Sequence, residues 1–218
     1  MGGPNNRNGM SRRRFMASVG AAAAMGAGRR VWGKQGARQP NIIVMMADDF
    51  GYECLSCNGG GPYKTPNIDA LAASGVRFTN CHAQPLCTPS RVKIMTGRYN
   101  FRNYITFGLL DAKEKTFAAP LKKAGYATCV VGKWQIGCDL EYPARFGFDE
   151  YCLWWLMGKG NRYSKPSGFI ANGKALSLKA DDYGPDVACN FMLDFITRHK
   201  DSPFLCYYPM ILTHSPYV

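Results

Sequence analysis

Apolar runs of strand length alternate with helix-like segments along this chain, and this alternation restricts its fold more than any other feature. The runs NIIVMM (41–46), YATCVV (126–131) and PFLCYYPMI (203–211) consist largely of hydrophobic residues, which is typical of strands buried on both faces of a parallel sheet. VRFTN (76–80) predicts a further short strand. Strands that alternate with helices indicate an α/β domain, with a mostly parallel sheet and helices on both of its faces.

Helix boundaries can be read from proline, glycine and capping residues. TPNIDALAASG (65–75) predicts a helix that begins after Thr65 and is closed by Gly75. A second helix is expected to end near Gly125, and the segment 184–200 has a strong helical pattern. The stretch 138–183 is aromatic and rich in glycine, so we predict loops near the functional site there.

The first 39 residues differ from the rest of the chain in composition. The formal net charge is +12, but residues 1–39 contain eight of the positive charges and no acidic residue, which leaves +4 for the remainder. This remainder does not indicate a nucleic-acid-binding face. SRRRFM (11–16), followed by an apolar alanine-rich run too short to span a bilayer, is typical of an export signal, and S-R-R-x-F resembles the twin-arginine signal.

We therefore predict an export signal and leader over residues 1–39 and one domain over 40–218. The protein is expected to be periplasmic or secreted, with the twin-arginine export machinery as a partner and no nucleic-acid partner. A basic disordered tail is the alternative for the first segment. The cleavage position, after Ala27 or nearer Ala37, stays open.

Nine cysteines are many for 218 residues, and an odd number leaves at least one outside any disulfide. The C-x-x-C pair Cys54 and Cys57 is compatible with a redox pair or with half of a zinc site. No second C-x-x-C or H-x-x-x-H accompanies it, so we predict a structural role. His82 and His199 are also expected to have no part in chemistry.

Polar residues that can carry chemistry follow the ends of three predicted strands. Asp48 and Asp49 follow the first, Lys133 lies in a Gly-Lys turn after the second, and His214 follows the last. The carboxyl ends of parallel strands share one edge of the sheet, where open α/β sheets bind ligands, so we expect these side chains to converge. The carboxylates suit a hard cation such as Ca²⁺ or Mg²⁺, and Lys133 suits an anion.

The stretch LCTPSR (86–91) indicates an anion site that contains a sulfur atom. Pro89 suits the first helical position and Thr88 the N-cap, so Cys87 is predicted to lie just ahead of a helix N-terminus. The free N–H groups of such a terminus favour sulfate or phosphate. Arg91, one turn into the helix, adds a planar donor fork. A buried structural cysteine beside a surface arginine is the alternative.

These motifs together resemble the type I sulfatases. Residues 87–91 fit C-x-P-S-R, and TGRY follows where that family usually has TGR. The phrases PNIIVMMADDFGY, KTPNIDALAASGVRFTN, AGYATCVVGKW, GFDEY and DFITRHKDSPF agree as well. The resemblance covers about residue 40 to 218 and implies the alkaline-phosphatase-like fold.

The resemblance implies a sulfuric ester hydrolase acting on a sulfated small molecule or carbohydrate. In this family the cysteine at position 87 is oxidised to formylglycine by a formylglycine-generating enzyme, which reads the Pro-Ser-Arg sequence. One hydroxyl of the hydrated aldehyde attacks the sulfur of the ester, and the other then expels sulfate.

The resemblance also implies a role for each residue of the motifs. Calcium, with magnesium as the alternative, would be bound by Asp48, Asp49 and the modified Cys87. Arg91 would hold the modified residue and Lys133 the sulfate group. His214 would act near the leaving oxygen, as an acid or an electrostatic partner.

Two departures from the family leave alternatives open. The family usually reads G-K-W-H, but Gln135 stands where that histidine would be, and glutamine cannot take a proton at working pH. The family's later Asp-Asn metal ligands and a second lysine find no counterpart up to Val218, so we expect an N-terminal part with an incomplete sheet. The alternatives are a phosphonate or phosphodiester hydrolase of the same superfamily and a truncated, non-catalytic relative.

Overall fold

A computed structural model of the chain describes residues 39–216, so nearly all of the predicted export signal lies outside the described residues. Six strands form one sheet in the order β1-β6-β2-β3-β4-β5. Their bounds are β1 Ile42–Met46, β2 Ala127–Lys133, β3 Glu150–Trp154, β4 Phe169–Ala171, β5 Lys174–Ala175 and β6 Phe204–Pro209. The neighbours β1, β6, β2 and β3 are parallel, whereas β4 and β5 are antiparallel.

Five α-helices accompany this sheet in the described part of the chain. They are α1 Pro66–Ser74, α2 Cys87–Thr96, α3 Ala118–Lys123, α4 Tyr142–Arg145 and α5 Gly184–His199. The helices predicted to end near Gly125 and to cover 184–200 are present, and α1 begins after Thr65 and ends before Gly75 as predicted. No helix among residues 39–216 is both long and apolar enough to cross a membrane.

Alternate residues of the central strands pack against helices on opposite faces of the sheet. Val130 of β2 belongs to a core that includes Val92 and Met95 of α2. Its neighbour Val131 belongs to a second core, which includes Phe195 of α5. Successive side chains of a strand point to opposite faces, so both faces of β2 are covered. The predicted α/β class, a mostly parallel sheet with helices on both faces, is confirmed.

Two predictions at the margin of the sheet are wrong. Strand β1 is not buried on both faces, because Ile43 and Met45 are largely exposed and β1 pairs only with β6 in the described structure. VRFTN (76–80) forms no strand. Val76 and Phe78 are mostly exposed, so this segment has the side chains of a strand without a neighbouring strand to pair with.

Two predictions in the second half of the chain also need correction. Lys133 does not lie in a turn but is the last residue of β2, since the strand continues past the predicted YATCVV. The stretch 138–183 is not simply a set of loops, because it contains α4, β3, β4 and β5. Its aromatic residues include Tyr151 and Trp154 of the buried strand β3. Some of the aromatic residues in 138–183 therefore belong to the core and not to loops.

Candidate active site

Asp48 and Lys133 meet at the carboxyl edge of the sheet, as expected for residues that follow or end parallel strands. Both side chains are buried, with 2% and 0% of their surface exposed, and Lys133 Nζ donates a 2.5 Å hydrogen bond to Asp48 Oδ2. The backbone N–H of Asp48 donates to the carbonyl of Leu212, and that of Thr213 donates to the carbonyl of Asp48. These bonds tie the end of β1 to the segment that follows β6.

Arg91 approaches the same carboxylate from helix α2. Its Nη1 lies 3.6 Å from Asp48 Oδ1, too long for a hydrogen bond, and its Nε donates to the backbone carbonyl of Lys133 at 3.3 Å. The side chain is fully buried, yet neither Nη1 nor Nη2 has a hydrogen-bond partner among the described residues. Buried polar groups are normally paired, so these two donors indicate a place for an acceptor supplied by a ligand.

The buried cluster of Asp48, Arg91 and Lys133 has more positive than negative charge. One carboxylate faces two cations, and burial of the ammonium lowers the pKa of Lys133, an effect partly offset by its hydrogen bond to Asp48. Burial raises the pKa of the adjacent Tyr207 to about 12, so this phenol stays protonated and adds no negative charge. A buried, uncompensated positive charge is costly, and an anion such as sulfate would relieve that cost.

Cys87 is the first residue of helix α2, where the sequence predicted it just ahead of the helix. The N-cap is Leu86, with an extended backbone (φ −124°, ψ 156°), and its carbonyl accepts the N–H of Ser90. Thr88 does not cap the helix, because its buried hydroxyl donates to the Gln135 carbonyl and accepts the N–H of Gly108. Cys87 is half-buried.

Three of the four parallel strands are followed, within three residues, by a residue in left-handed backbone conformation. Asp49 follows β1 with φ 55°, Gln135 follows β2 with φ 53°, and Trp155 follows β3 with φ 64°. Such conformations are uncommon outside glycine and concentrate at functional sites. Gln135 is buried, and its Oε1 has no hydrogen-bond partner among the described residues.

Asp49 and His214 form a separate, more exposed pair beside the buried cluster. Asp49 Oδ2 lies 3.4 Å from His214 Nε2, and His214 Nδ1 lies 2.7 Å from the Ser215 carbonyl. An N–H at Nδ1 can donate to that carbonyl. In that case Nε2 carries a hydrogen that can point to Asp49 only in the imidazolium form of His214. The expected convergence of residues 48, 49, 133 and 214 is thus observed, in two adjacent pairs.

The carboxylates have the right chemistry for a hard cation, but the donor set is small. Calcium takes six to eight oxygen ligands, and residues 39–216 contain no group of three or more His, Cys, Asp or Glu side chains placed to hold a metal. Both oxygens of Asp48 already face cations. Asp48 and Asp49 offer carboxylate oxygens of the type that calcium binds, but the described residues do not form a complete calcium site.

The cysteines outside α2 take no part in this site. All nine are free thiols in the structure. Cys57 lies in a turn where its backbone N–H and the Ser56 hydroxyl donate to Asp69, so this turn is ordered by a polar network. The redox-pair and zinc alternatives for Cys54 and Cys57 gain no support from these contacts.

The sequence did not single out Trp155, which borders the buried cluster. Lys133 Nζ lies 5.9 Å from the centre of its indole ring, a cation–π distance. The signal was present in the pair of tryptophans that ends the run YCLWW (151–155), because residue 155 directly follows β3 at the ligand-binding edge.

Comparisons with known proteins identify the family of the chain. The sulfatase family model matches residues 40–218. An N-acetylglucosamine-6-O-sulfatase of Bacteroides thetaiotaomicron is 33% identical over 83% of this chain and 32% of its own length. A human N-acetylgalactosamine-6-sulfatase is 32% identical over 84% of this chain and 41% of its own length.

Solved structures lead to the same family. A protein in complex with its substrate D-glucosamine-2-N,6-O-disulfate has a TM-score of 0.73 at 33% identity, over 83% of this chain and 36% of that one. The chain thus spans only about a third to two fifths of the length of these relatives. The fold, the order of the site residues and the family model together show that the chain belongs to the sulfatase family.

Proposed function

We propose that this chain forms the sulfate-binding and reactive part of a sulfuric ester hydrolase. The observation that carries the proposal is the buried, net positive cluster around Lys133, whose neighbour Arg91 has two unpartnered donors. The modified side chain at position 87 would accept those donors, and a sulfate group at Lys133 would balance the charge. Family membership supports hydrolysis of a sulfate ester as the chemistry.

Lys133 and Arg91 would have complementary parts in holding the reacting groups. An ammonium has three donors, and Lys133 uses one on Asp48, so it can direct another at a sulfate oxygen. Arg91 would direct Nη1 and Nη2 towards the modified side chain at position 87. The Asp48 carboxylate faces both cations in a dry site, where electrostatic stabilisation of a transition state is strongest.

Position 87 would carry the nucleophile. Formylglycine made from Cys87, when hydrated, supplies one hydroxyl that attacks sulfur and a second that expels sulfate. The helix start places this residue beside the N–H groups of the first turn of α2, which stabilise negative charge. Its neighbour Thr88 is held by Gly108 and by the carbonyl of Gln135, which fixes the side chain at position 87 relative to Lys133.

Proton transfer would be divided between two positions. His214, oriented by Asp49, is placed to protonate the leaving oxygen or to act on it electrostatically. Gln135 can hydrogen-bond to the group at position 87 but cannot take a proton from it. Release of sulfate would therefore rely on another base and would be slower than with a histidine at this position.

Asp48 and Asp49 would supply two oxygen ligands to a calcium ion, or to magnesium as the alternative. When bound, such a cation polarises the sulfate group and favours an ionised nucleophile. The substrate is proposed to be a sulfated carbohydrate, because a named relative is an N-acetylglucosamine-6-O-sulfatase and a similar structure holds a sulfated glucosamine. Export over the twin-arginine route, after modification by a formylglycine-generating enzyme, completes the proposal.

The test combines a mass measurement with an activity assay. The protein is purified from its own host, and the tryptic peptide Phe78–Arg91 is weighed. We expect the mass to be lower by the difference between CH₂SH and CHO, and we expect sulfate release from N-acetylglucosamine-6-O-sulfate that is abolished by Cys87→Ala. An unmodified thiol together with no sulfate release would refute catalysis and favour the non-catalytic alternative. Faster hydrolysis of a phosphodiester would favour the other hydrolase.

A further inference from the structure

A second cluster of cationic side chains lies around a surface cleft outside the residues discussed so far. The cleft has a volume of about 320 Å³ and is formed by the loop 159–164 together with Pro216. Lys159 and Arg162 supply positive charge, and Asn161 and Ser164 add neutral hydrogen-bonding groups. We call this the anion cleft. No salt bridge joins either cation to an acidic residue within 39–216.

Arg162 is the unusual residue of the anion cleft. Only 8% of its surface is exposed. Its guanidinium carbon lies 5.0 Å from the centre of the Trp154 ring and 5.6 Å from the centre of the Tyr163 ring. Its Nη1 has no hydrogen-bond partner among the described residues. Stacking on rings compensates a buried cation only in part, and an unpaired buried charge is unfavourable. The side chain lines the cleft, so an anion bound there would lie next to the guanidinium and reduce this cost.

The anion cleft adjoins the candidate active site through Trp155. Lys159 Nζ lies 5.5 Å from the centre of the Trp155 ring, and Lys133 Nζ lies 5.9 Å from the same ring. The Tyr163 hydroxyl contacts the backbone carbonyl of His214. One indole therefore lies within cation–π distance of both the ammonium proposed to hold the reacting sulfate and an ammonium of the cleft.

We propose that the anion cleft binds a second anionic group, a sulfate or a carboxylate, of the carbohydrate whose sulfate ester lies at Lys133. Arg162 donates to this group from its buried fork, Lys159 adds a flexible charge, and the indole of Trp155 lies against the sugar. The inference rests on the proposed function, since it takes the ester to be bound at Lys133. It makes the enzyme selective for carbohydrates that carry at least two negative groups.

Binding to the full 218-residue chain with Cys87→Ala, which prevents turnover, tests this inference. Isothermal titration compares D-glucosamine-2-N,6-O-disulfate with D-glucosamine-6-O-sulfate. We expect the disulfate to bind more tightly, and we expect Lys159→Gln and Arg162→Gln each to weaken its binding about tenfold, the value of one charge-assisted hydrogen bond. Binding of the monosulfate is expected to stay within about twofold.

Lys165→Gln is the matched control, because it removes the same charge from the same loop outside the cleft lining. It is expected to leave both affinities unchanged. Lys159 is exposed, so its substitution keeps the test decisive even if Arg162→Gln fails to fold. A third probe, a disaccharide of N-acetylgalactosamine-6-O-sulfate and a uronate, identifies the anionic group that the cleft binds. If Lys159→Gln weakens the binding of this probe alone, the group is a carboxylate. If it weakens the binding of the disulfate alone, the group is a sulfate.

The inference is overturned if the Cys87→Ala protein binds the disulfate and the monosulfate with equal affinity. It is also overturned if Lys159→Gln weakens the binding of all probes by the same factor. Failure of the proposed function has a different signature. In that case the unsubstituted protein lacks formylglycine and releases no sulfate, whatever the ratio of the affinities.

Discussion

Asp48 faces two buried cations, so its loss should destabilise the protein more than the loss of either partner. At an effective dielectric constant of about 20, the attraction is roughly 7 kcal/mol across the 2.5 Å to Lys133 and roughly 5 kcal/mol across the 3.6 Å to Arg91. Desolvation of the charges offsets most of this. Asp48→Asn keeps the shape and one acceptor oxygen but leaves two buried cations without an anion, which should cost about 4–5 kcal/mol of unfolding free energy.

The comparison variant is Lys133→Met, which removes a cation of similar length. Asp48 then still faces Arg91, so the expected cost is about 3 kcal/mol, the lower end for breaking a buried pair. Urea unfolding followed by circular dichroism measures both values, with exposed Asp181→Asn as a control expected to change stability by less than about 0.5 kcal/mol. If Asp48→Asn proved no more destabilising than Lys133→Met, the claim that one carboxylate balances both cations would be wrong.

Three further outcomes are expected. Gly132→Ala should destabilise the chain by about 2 kcal/mol or more in urea unfolding, because φ at Gly132 is +114° and an added Cβ would lie 2.2 Å from the Pro209 carbonyl oxygen; an unchanged midpoint would contradict this. Gln135→His, in protein shown by mass to contain formylglycine, should raise kcat for sulfate release about tenfold or more, because histidine can take a proton and tolerates positive φ; an unchanged kcat would show that another base suffices. Hydrogen bonds from Arg198 lower the pKa of Glu150 from its ordinary value of 4.5, so their stabilisation is present above that value and is lost as pH falls through the lower, folded-state pKa. Between about pH 5 and 3, Glu150→Gln should therefore lose less unfolding free energy than the unsubstituted protein, by up to about 1 kcal/mol; parallel losses would refute the assignment.

The α/β class and the place of the site could be derived from local sequence patterns. The apolar runs predicted as strands form β1, β2 and β6. Asp48 lies just after the carboxyl end of β1, and Lys133 is the last residue of β2. Parallel strands bring those ends to one edge. Local periodicity and chain direction alone therefore predicted which polar residues would meet.

Other features could not be predicted from the sequence, because they depend on contacts with residues distant in the chain. VRFTN has strand-like residues but no neighbouring strand, and Thr88 contacts Gln135 instead of capping its own helix. The length of β2 was set by pairing, since Gly132 and Lys133 continue its ladder with β3. A local pattern cannot show whether such a pairing or contact exists.

The fold class, the sulfatase motif and the set of residues at the edge of the sheet can be read from local sequence, because they follow from periodicity, strand direction and residue chemistry. The sharing of charges at the site depends on the folded structure. Distances and burial show that one carboxylate faces both Arg91 and Lys133. They also show that Arg162 is buried against Trp154 while its Nη1 has no hydrogen-bond partner among the described residues. Electrostatic energy depends on separation and solvent exposure, and neither quantity is set until the chain has folded.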